Sequence, residues 1–134
     1  MAGRTGYICM GANTEATTAL ERARRALERW LPDIVFGREL VTEPCGEAYG
    51  ARLFHNQGAR FSTDLDRDEL TRRLKALERQ AGRTPADKAA SIVRLDIDLV
   101  WFDGERLKPT DWERPYFTGV MREVMPDALF EDGI

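Results

Sequence analysis

The sequence predicts an α+β fold in which an antiparallel sheet packs against helices. Two segments have apolar residues at helical spacing, and strand-like apolar stretches lie between and around them. The elements follow the order strand, helix, strand, strand, helix, strand, with a short C-terminal helix. This β-α-β-β-α-β order is ferredoxin-like, and we expect the helices on one face of the sheet. With 134 residues, the chain is predicted to form a single domain over residues 1–134.

The first half of the chain is predicted to form three strands and one helix. Apolar residues recur every three or four positions along the helix, as one buried face requires. Asn13 or Thr14 is the expected N-cap, and Pro32 ends the helix. The predicted elements are a strand over 6–12, a helix over 14–31, a strand over 33–43, a loop over 43–50 and a strand over 51–62.

The second half is predicted to form a helix, a strand and a last short helix. Asp66 and Glu69 have the spacing of a capping box, and Gly82 suits the helix end that follows. The polar residues 83–91 are expected to be a mobile loop. The predicted elements are a helix running through Ala81, a strand over 92–102 and a short helix over Arg114–Val124.

Composition excludes several functional classes. The formal net charge of −3 argues against a broad nucleic-acid surface. No stretch approaches the roughly 18 apolar residues of a membrane span, and the first residues lack a signal-peptide layout. Two cysteines and one histidine are too few for a disulfide scaffold or a His-rich zinc site, and no P-loop motif occurs. We expect a monomeric cytoplasmic protein that binds neither nucleic acid nor membranes.

The main candidate for chemistry is the pair Asp96 and Asp98 in the predicted 92–102 strand. Residues i and i+2 of a strand share a face, so the two carboxylates project together while Leu95, Ile97 and Leu99 face a core. Neighbouring carboxylates repel, and Mg²⁺ relieves that repulsion. The alternative is that both aspartates form the polar face of an amphipathic strand.

The order of short motifs resembles the family of 2-amino-4-hydroxy-6-hydroxymethyldihydropteridine pyrophosphokinases of folate biosynthesis. No single motif is specific, but seven occur in the family's order at nearly the family's spacing. They are Tyr7-Ile-Cys-Met-Gly-Ala-Asn13, Thr42-Glu-Pro44, Phe54-His-Asn56, Leu77-Glu-Arg-Gln-Ala-Gly-Arg83, Leu95-Asp-Ile-Asp-Leu99, Arg114-Pro-Tyr116 and, more loosely, Pro126–Gly133.

The resemblance implies Mg²⁺-dependent transfer of diphosphate from ATP to 6-hydroxymethyl-7,8-dihydropterin, leaving AMP. Asp96 and Asp98 would hold the magnesium, expected as two ions. Arg83 and Arg94 are the expected catalytic cations, because a guanidinium can bind phosphate oxygens with two hydrogen bonds. ATP and the reduced pterin are the expected small-molecule partners.

The resemblance also assigns residues to each substrate. Phe54 and Tyr116 would stack on the pterin, and Asn56 would hydrogen bond to its edge. Further donors and acceptors are expected from the segment around Thr42 and Cys45. The residues expected to bind the nucleotide are Glu78, Lys108 and Arg114. Without the resemblance, aromatic residues are more often packing residues, and a helical glutamate such as Glu78 is usually solvated.

The chain departs from the family pattern beside the expected nucleotide site. Where the family has an arginine three residues before the first aspartate, this chain has Val93, and Arg94 comes one residue late. Lys88 is the sole cation of residues 84–91, a loop that in the family carries more arginines and closes over the substrates. The family's Pro-His segment is missing. These departures leave two alternatives open: a non-catalytic or substrate-altered relative that binds a pterin or nucleotide, and a ferredoxin-like interaction module.

Overall fold

A computed structural model of the chain describes residues 3–44 and 52–131. No helix in these ranges is both long enough and apolar enough to cross a bilayer. The elements are β1 (Arg4–Ala12), α1 (Ala16–Trp30), β2 (Val35–Phe36), β3 (Leu40–Thr42), β4 (Phe54–Thr63), α2 (Arg67–Gln80), α3 (Pro85–Ala89), β5 (Asp96–Phe102), β6 (Glu105–Arg106), α4 (Pro109–Trp112), α5 (Phe117–Met121) and a 3₁₀ turn (Asp127–Leu129).

The strands form one six-stranded sheet, in which five strands follow the order β2-β4-β1-β5-β6. The sixth strand, β3, also pairs with β4. Every pair is antiparallel. The predicted α+β class is therefore confirmed. Because β1 lies between β4 and β5, the ends of these three strands meet at one edge of the molecule.

Helices α1 and α2 cover the first face of the sheet. Leu20 and Leu27 of α1 and Leu70 and Leu74 of α2 are buried there against the strands. The predicted inward side of β5 is confirmed, since its apolar residues join this core. The side chain of Asp66 caps α2 by accepting a hydrogen bond from the backbone amide of Glu69 at 2.9 Å. The members of this core from β5 and the residue before it are Leu95, Ile97, Leu99 and Phe102.

The C-terminal segment covers the second face, so the expectation of helices on one face alone is wrong. Phe117, Val120 and Met121 of α5 are buried against Tyr7 and Cys9 of β1. The physical reason lies in β1, which is buried without interruption from residue 6 to residue 12. A strand that is buried on both sides needs a covering layer on both faces.

The predicted boundaries of α1 and of the second strand also need correction. Neither Asn13 nor Thr14 caps α1: the N-cap is Glu15, in a left-handed conformation with φ 42° and no side-chain capping bond. The Asn13 side chain is engaged elsewhere, since it bonds to the backbone of Ser91 and Val93. The strand predicted over 33–43 is two short strands, β2 and β3.

Three predictions for the second half were also wrong in part. The loop predicted over 83–91 contains α3, because Thr84 and Asp87 form a capping box around its first turn. The strand predicted over 92–102 begins at Asp96. The helix predicted over Arg114–Val124 shrinks to α5, because Pro115 disfavours helical backbone at the residue before it.

Candidate active site

Strand β5 places Asp96 and Asp98 on the second face of the sheet, opposite its buried apolar residues. The side chain of Asp96 is 46% exposed and that of Asp98 is 33% exposed. The β5 residues between and beside them are buried against α1 and α2. This alternation holds the two carboxylates on the same side, because slipping the strand by one residue would bury both charges.

Asp96 lies in the same cross-strand row as Asn56. In the sheet register Gly11 of β1 pairs with Asn56 of β4 on one side and with Asp96 of β5 on the other. Neighbouring strands are about 4.8 Å apart, so the two backbones are separated by roughly 10 Å. Gly11 has no side chain between them: a Cβ there would lie 2.6 Å from Oδ1 of Asn56. The Asn56 amide therefore lies directly over the backbone of Gly11, in the row that ends at Asp96.

A small pocket of about 80 Å³ lies at the Asp96 end of this row. It collects acids, a cation and two aromatic rings from strand β5, the start of β4 and the segment after β6. Arg114 and Tyr116 also line an adjacent cleft next to Thr42, Glu43 and Pro44. The residues that line the small pocket are Glu43, Phe54, Asp96, Asp98, Asp111, Arg114 and Tyr116.

The pocket holds more negative charge than its surroundings neutralise. Burial raises the pKa of Asp96, and the charge of Asp98 raises it further. Burial also raises the pKa of Asp98, with the neighbouring Asp111 adding to the effect. Within residues 3–44 and 52–131, no three His, Cys, Asp or Glu side chains form a ready metal cage. Two carboxylates completed by phosphate oxygens and water are, however, a usual Mg²⁺ donor set.

Asp111 is a pocket residue that the sequence reasoning missed. It lies in α4, in the segment that returns after β6, and it reaches Asp98 across the pocket. The spacing of the two strand aspartates carries no information about an acid on another element. Asp111 could have been predicted as a pocket residue only if it were known that α4 folds back over β5.

Two cations are paired with the strand aspartates. Arg83 Nη2 donates to Oδ1 of Asp96 at 3.0 Å, and Lys108 Nζ lies 3.5 Å from Oδ1 of Asp98. Arg114 also lines the pocket, and among the described residues its buried Nε has no hydrogen-bond partner. Three of the predicted cations are thus close to the aspartates or their pocket.

Glu78 is buried, with 7% exposure, which is unusual for a helical glutamate. Its Oε2 accepts a hydrogen bond from the backbone amide of Ile97 at 2.7 Å, and its Oε1 lies 3.8 Å from Arg83 Nη2. Burial raises the pKa of Glu78, and the charge of Asp96 adds to the rise. The expectation that a helical glutamate is solvated is therefore wrong for Glu78, because its buried carboxylate links α2 to β5.

Arg94 is not beside the strand aspartates. It precedes β5, and its Nε and Nη2 donate to Asp87 at 2.8 and 3.2 Å. The expected position in a strand with Asp96 and Asp98 is therefore wrong. The residues before β5 are outside the strand, and Asn13, the residue after β1, binds the backbone of Val93 at both its amide and its carbonyl.

The residues expected to bind the pterin lie around the start of β4. Asn56 is buried, with 3% exposure, and its amide nitrogen donates to the hydroxyl of Thr42. Phe54 and Tyr116 line the small pocket together. Cys45 lies outside the described residues.

Comparisons with known proteins add one positive finding. A protein-family model described as 7,8-dihydro-6-hydroxymethylpterin-pyrophosphokinase (HPPK) matches residues 7–126 of the 134-residue chain. No curated protein matches the chain. The matched range contains β1 from Tyr7 onward, strands β2 to β6 and every residue that lines the small pocket.

Proposed function

Because this chain belongs to the 7,8-dihydro-6-hydroxymethylpterin-pyrophosphokinase family, we propose that it transfers diphosphate from ATP to 6-hydroxymethyl-7,8-dihydropterin. In this reaction the hydroxymethyl oxygen bonds to the β-phosphorus, and the bond between that phosphorus and the α,β-bridging oxygen breaks. The products are AMP and the pterin diphosphate, and the hydroxyl proton is released. The family's general activity is pyrophosphokinase chemistry in folate biosynthesis.

The observation that carries the proposal is the row of Asn56, Gly11 and Asp96. It supports a pterin edge at Asn56 and phosphates at Asp96, separated by roughly two strand spacings, a distance that the bicyclic pterin ring and its hydroxymethyl arm span together. Phe54 and Tyr116 supply ring faces for stacking beside the same pocket. Thr42 fixes the orientation of the Asn56 amide through their hydrogen bond.

The donor set fits magnesium. Asp96 and Asp98 would hold it, proposed as two ions, because two close carboxylates repel each other and a divalent cation relieves that repulsion. When bound, the metal supplies positive charge that offsets the phosphate oxygens. Arg83, Lys108 and Arg114 would orient the triphosphate from the other sides by charge-assisted hydrogen bonds.

Catalysis by these residues is positioning and electrostatics. The proposed cations are held before any substrate arrives: Arg83 by Asp96 and Glu78, and Lys108 by Asp98. Electrostatic interactions of charges that are already in place become stronger when bound substrates displace water from the site, as in other phosphoryl transfers. All of these groups come from one chain, so we propose that the site functions in a monomer and that residues 1–134 act as one domain in the cytoplasm.

A second candidate function is binding without turnover. The observation that favours it is Arg94, which is engaged by Asp87 and does not face the strand aspartates. A protein of this kind would hold the pterin or the nucleotide at the same pocket and release neither AMP nor pterin diphosphate.

The direct test is AMP formation, measured by ion-exchange chromatography with ATP, Mg²⁺ and 6-hydroxymethyl-7,8-dihydropterin. We expect pterin-dependent AMP from the unaltered protein and a loss of at least about 100-fold in Asp96→Asn and Asp98→Asn. Asp103→Asn is the matched control, because Asp103 is an exposed carboxylate just past the same strand. Calorimetric binding of pterin without any AMP would favour the second candidate.

A further inference from the structure

The loop between α2 and β5 is built around one buried carboxylate. Asp87 is 5% exposed, and its two oxygens accept four hydrogen bonds. Two come from Thr84, from its amide at 3.0 Å and its hydroxyl at 2.8 Å. Two come from Arg94, from Nε at 2.8 Å and Nη2 at 3.2 Å. A two-point pair of this kind fixes direction as well as distance.

These bonds fix the chain on both sides of Arg83 and its contacts. Thr84 is the next residue after Arg83, and Arg94 lies two residues before Asp96. Arg83 Nη2 donates to Oδ1 of Asp96 at 3.0 Å and to the carbonyl of Leu95 at 3.4 Å. Asp87 therefore connects the two stretches of chain that carry Arg83 and Asp96, whose side chains bond to each other. Asp87 itself does not line the pocket.

The later part of the loop has a separate anchor. Asn13, at the end of β1, exchanges backbone and side-chain hydrogen bonds with Val93, and its Nδ2 donates to the carbonyl of Ser91 at 2.9 Å. Residues 91–93 are thus held against the sheet without Asp87. The part of the loop that depends on Asp87 is the stretch from Thr84 through α3, which directly follows Arg83.

We infer that Asp87 is a positioning residue that holds Arg83 beside Asp96 through its bonds to Thr84 and Arg94. The inference rests on the proposed function, in which Arg83 binds the phosphates of ATP. In this chain the Asp87–Arg94 pair keeps the short loop in one arrangement before substrate binds, and a cation that is already in place loses less freedom on binding.

The opposite hypothesis gives Arg94 its own contact with phosphate, with Asp87 merely holding it away. The two hypotheses predict different results for Asp87→Asn, which keeps the shape and removes the charge. If Asp87 positions Arg83, activity falls. If Asp87 restrains Arg94, activity is unchanged or rises.

The test is a double-mutant cycle of Asp87→Asn and Arg83→Gln in the full chain, with Asp66→Asn as the control. Asp66 also caps a helix with its carboxylate, at the opposite end of α2 from the 83–95 stretch. We expect Asp87→Asn to lower kcat/KM for ATP about 10- to 100-fold, as losses of supporting groups around a site usually do. The KM for the pterin should not change, and Asp87→Asn should have no further effect in the Arg83→Gln background.

Two further measurements keep the inference falsifiable. Arg94→Gln breaks the same pair from its other end and should reproduce Asp87→Asn in activity and in faster amide hydrogen exchange over residues 84–90. If the unaltered protein releases no AMP, the proposed function fails. The same double-mutant cycle is then measured with calorimetric affinities for Mg-ATP in place of kcat/KM. Equal losses from Asp87→Asn with and without Arg83, or a much larger loss for Arg94→Gln than for Asp87→Asn, would overturn the inference.

Discussion

Oε2 of Glu78 accepts a hydrogen bond from the backbone amide of Ile97 at 2.7 Å, which fastens helix α2 to the strand between Asp96 and Asp98. The amide of Ile97 has a fixed partner on the α2 side because this carboxylate is buried there. A group expected to contact the nucleotide therefore also sets the position of both strand aspartates.

Replacing Glu78 separates these two roles. Glu78→Gln keeps an acceptor for the Ile97 amide and should leave the free energy of unfolding nearly unchanged, whereas Glu78→Ala leaves a buried amide unpaired and should cost about 1–3 kcal/mol. Urea unfolding followed by circular dichroism measures the difference. Equal destabilisation by both variants would contradict the structural role of this bond.

The close packing of the Asn56 amide over Gly11 predicts a selective effect on the pterin. Gly11→Ala places a Cβ 2.6 Å from Oδ1 of Asn56, so the amide must move from the position fixed by Thr42. We expect the KM for the pterin to rise about tenfold, the magnitude of a lost or misaligned hydrogen bond, while the KM for ATP changes little.

The control for this substitution is Gly119→Ala. A Cβ at Gly119 meets no atom within 4 Å, and the position lies in α5. Alanine there should leave both KM values unchanged and should stabilise the helix slightly. A rise in the KM for ATP in Gly11→Ala equal to that for the pterin would argue against separate subsites along the row.

Asp98 is proposed to bind magnesium, but negative charge is crowded around it. We therefore predict that replacing Asp98 stabilises the folded protein. Burial and the neighbouring Asp111 raise the pKa of Asp98, so the ionised carboxylate is less stable in the folded protein than in water. Asp98→Asn should therefore raise the melting temperature by a few degrees at neutral pH without metal, while abolishing AMP formation. Differential scanning calorimetry with a chelator present measures the shift, and a fall in melting temperature would be the contrary result.

Asp87 predicts an acid-dependent loss of stability. Hydrogen bonds from Arg94 and Thr84 lower the pKa of Asp87 to about 2, against about 3.9 in an unfolded chain. A carboxylate whose pKa falls on folding stabilises the folded state above the unfolded value, and that contribution is lost as the pH falls from about 4 towards about 2.

The comparison that isolates this residue is Asp87→Asn. The free energy of unfolding, measured by urea titration at a series of pH values, should fall more steeply below about pH 4 in the unaltered protein than in the variant. Parallel curves would show that the Asp87–Arg94 pair contributes nothing to folding.

Much of the fold was accessible from the sequence because local patterns and packing agree. The apolar face of β5 and the Asp66 cap of α2 follow from spacing alone and were confirmed. The helix that covers the second face of the sheet could not be predicted from the sequence. The continuous apolar run of β1 is compatible with packing on one side or on both. The second strand is interrupted between β2 and β3, where Arg38 pairs with Glu123 far along the chain, a contact that no local pattern indicates.

Residue spacing alone predicted the candidate site only where one element supplies two groups; the site residues on other elements were expected from the family resemblance. Asp96 and Asp98 share a strand, so their common side follows from the period of two. Asp111 and the Asp87–Arg94 pair depend on how separate segments fold back, and no spacing in the sequence indicates that. Arg94 was misplaced because the apolar pattern of the strand extends before Asp96, whereas the strand itself begins at Asp96 and Arg94 pairs with Asp87.

The most direct test of the central claim is a ³¹P NMR time course of ATP, Mg²⁺ and 6-hydroxymethyl-7,8-dihydropterin with the unaltered protein. Attack at the β-phosphorus predicts that the signals of AMP and a pterin diphosphate grow together at the expense of ATP, and that neither appears with Asp96→Asn. Formation of ADP with a pterin monophosphate, or AMP that appears equally in the Asp96→Asn sample, would contradict it.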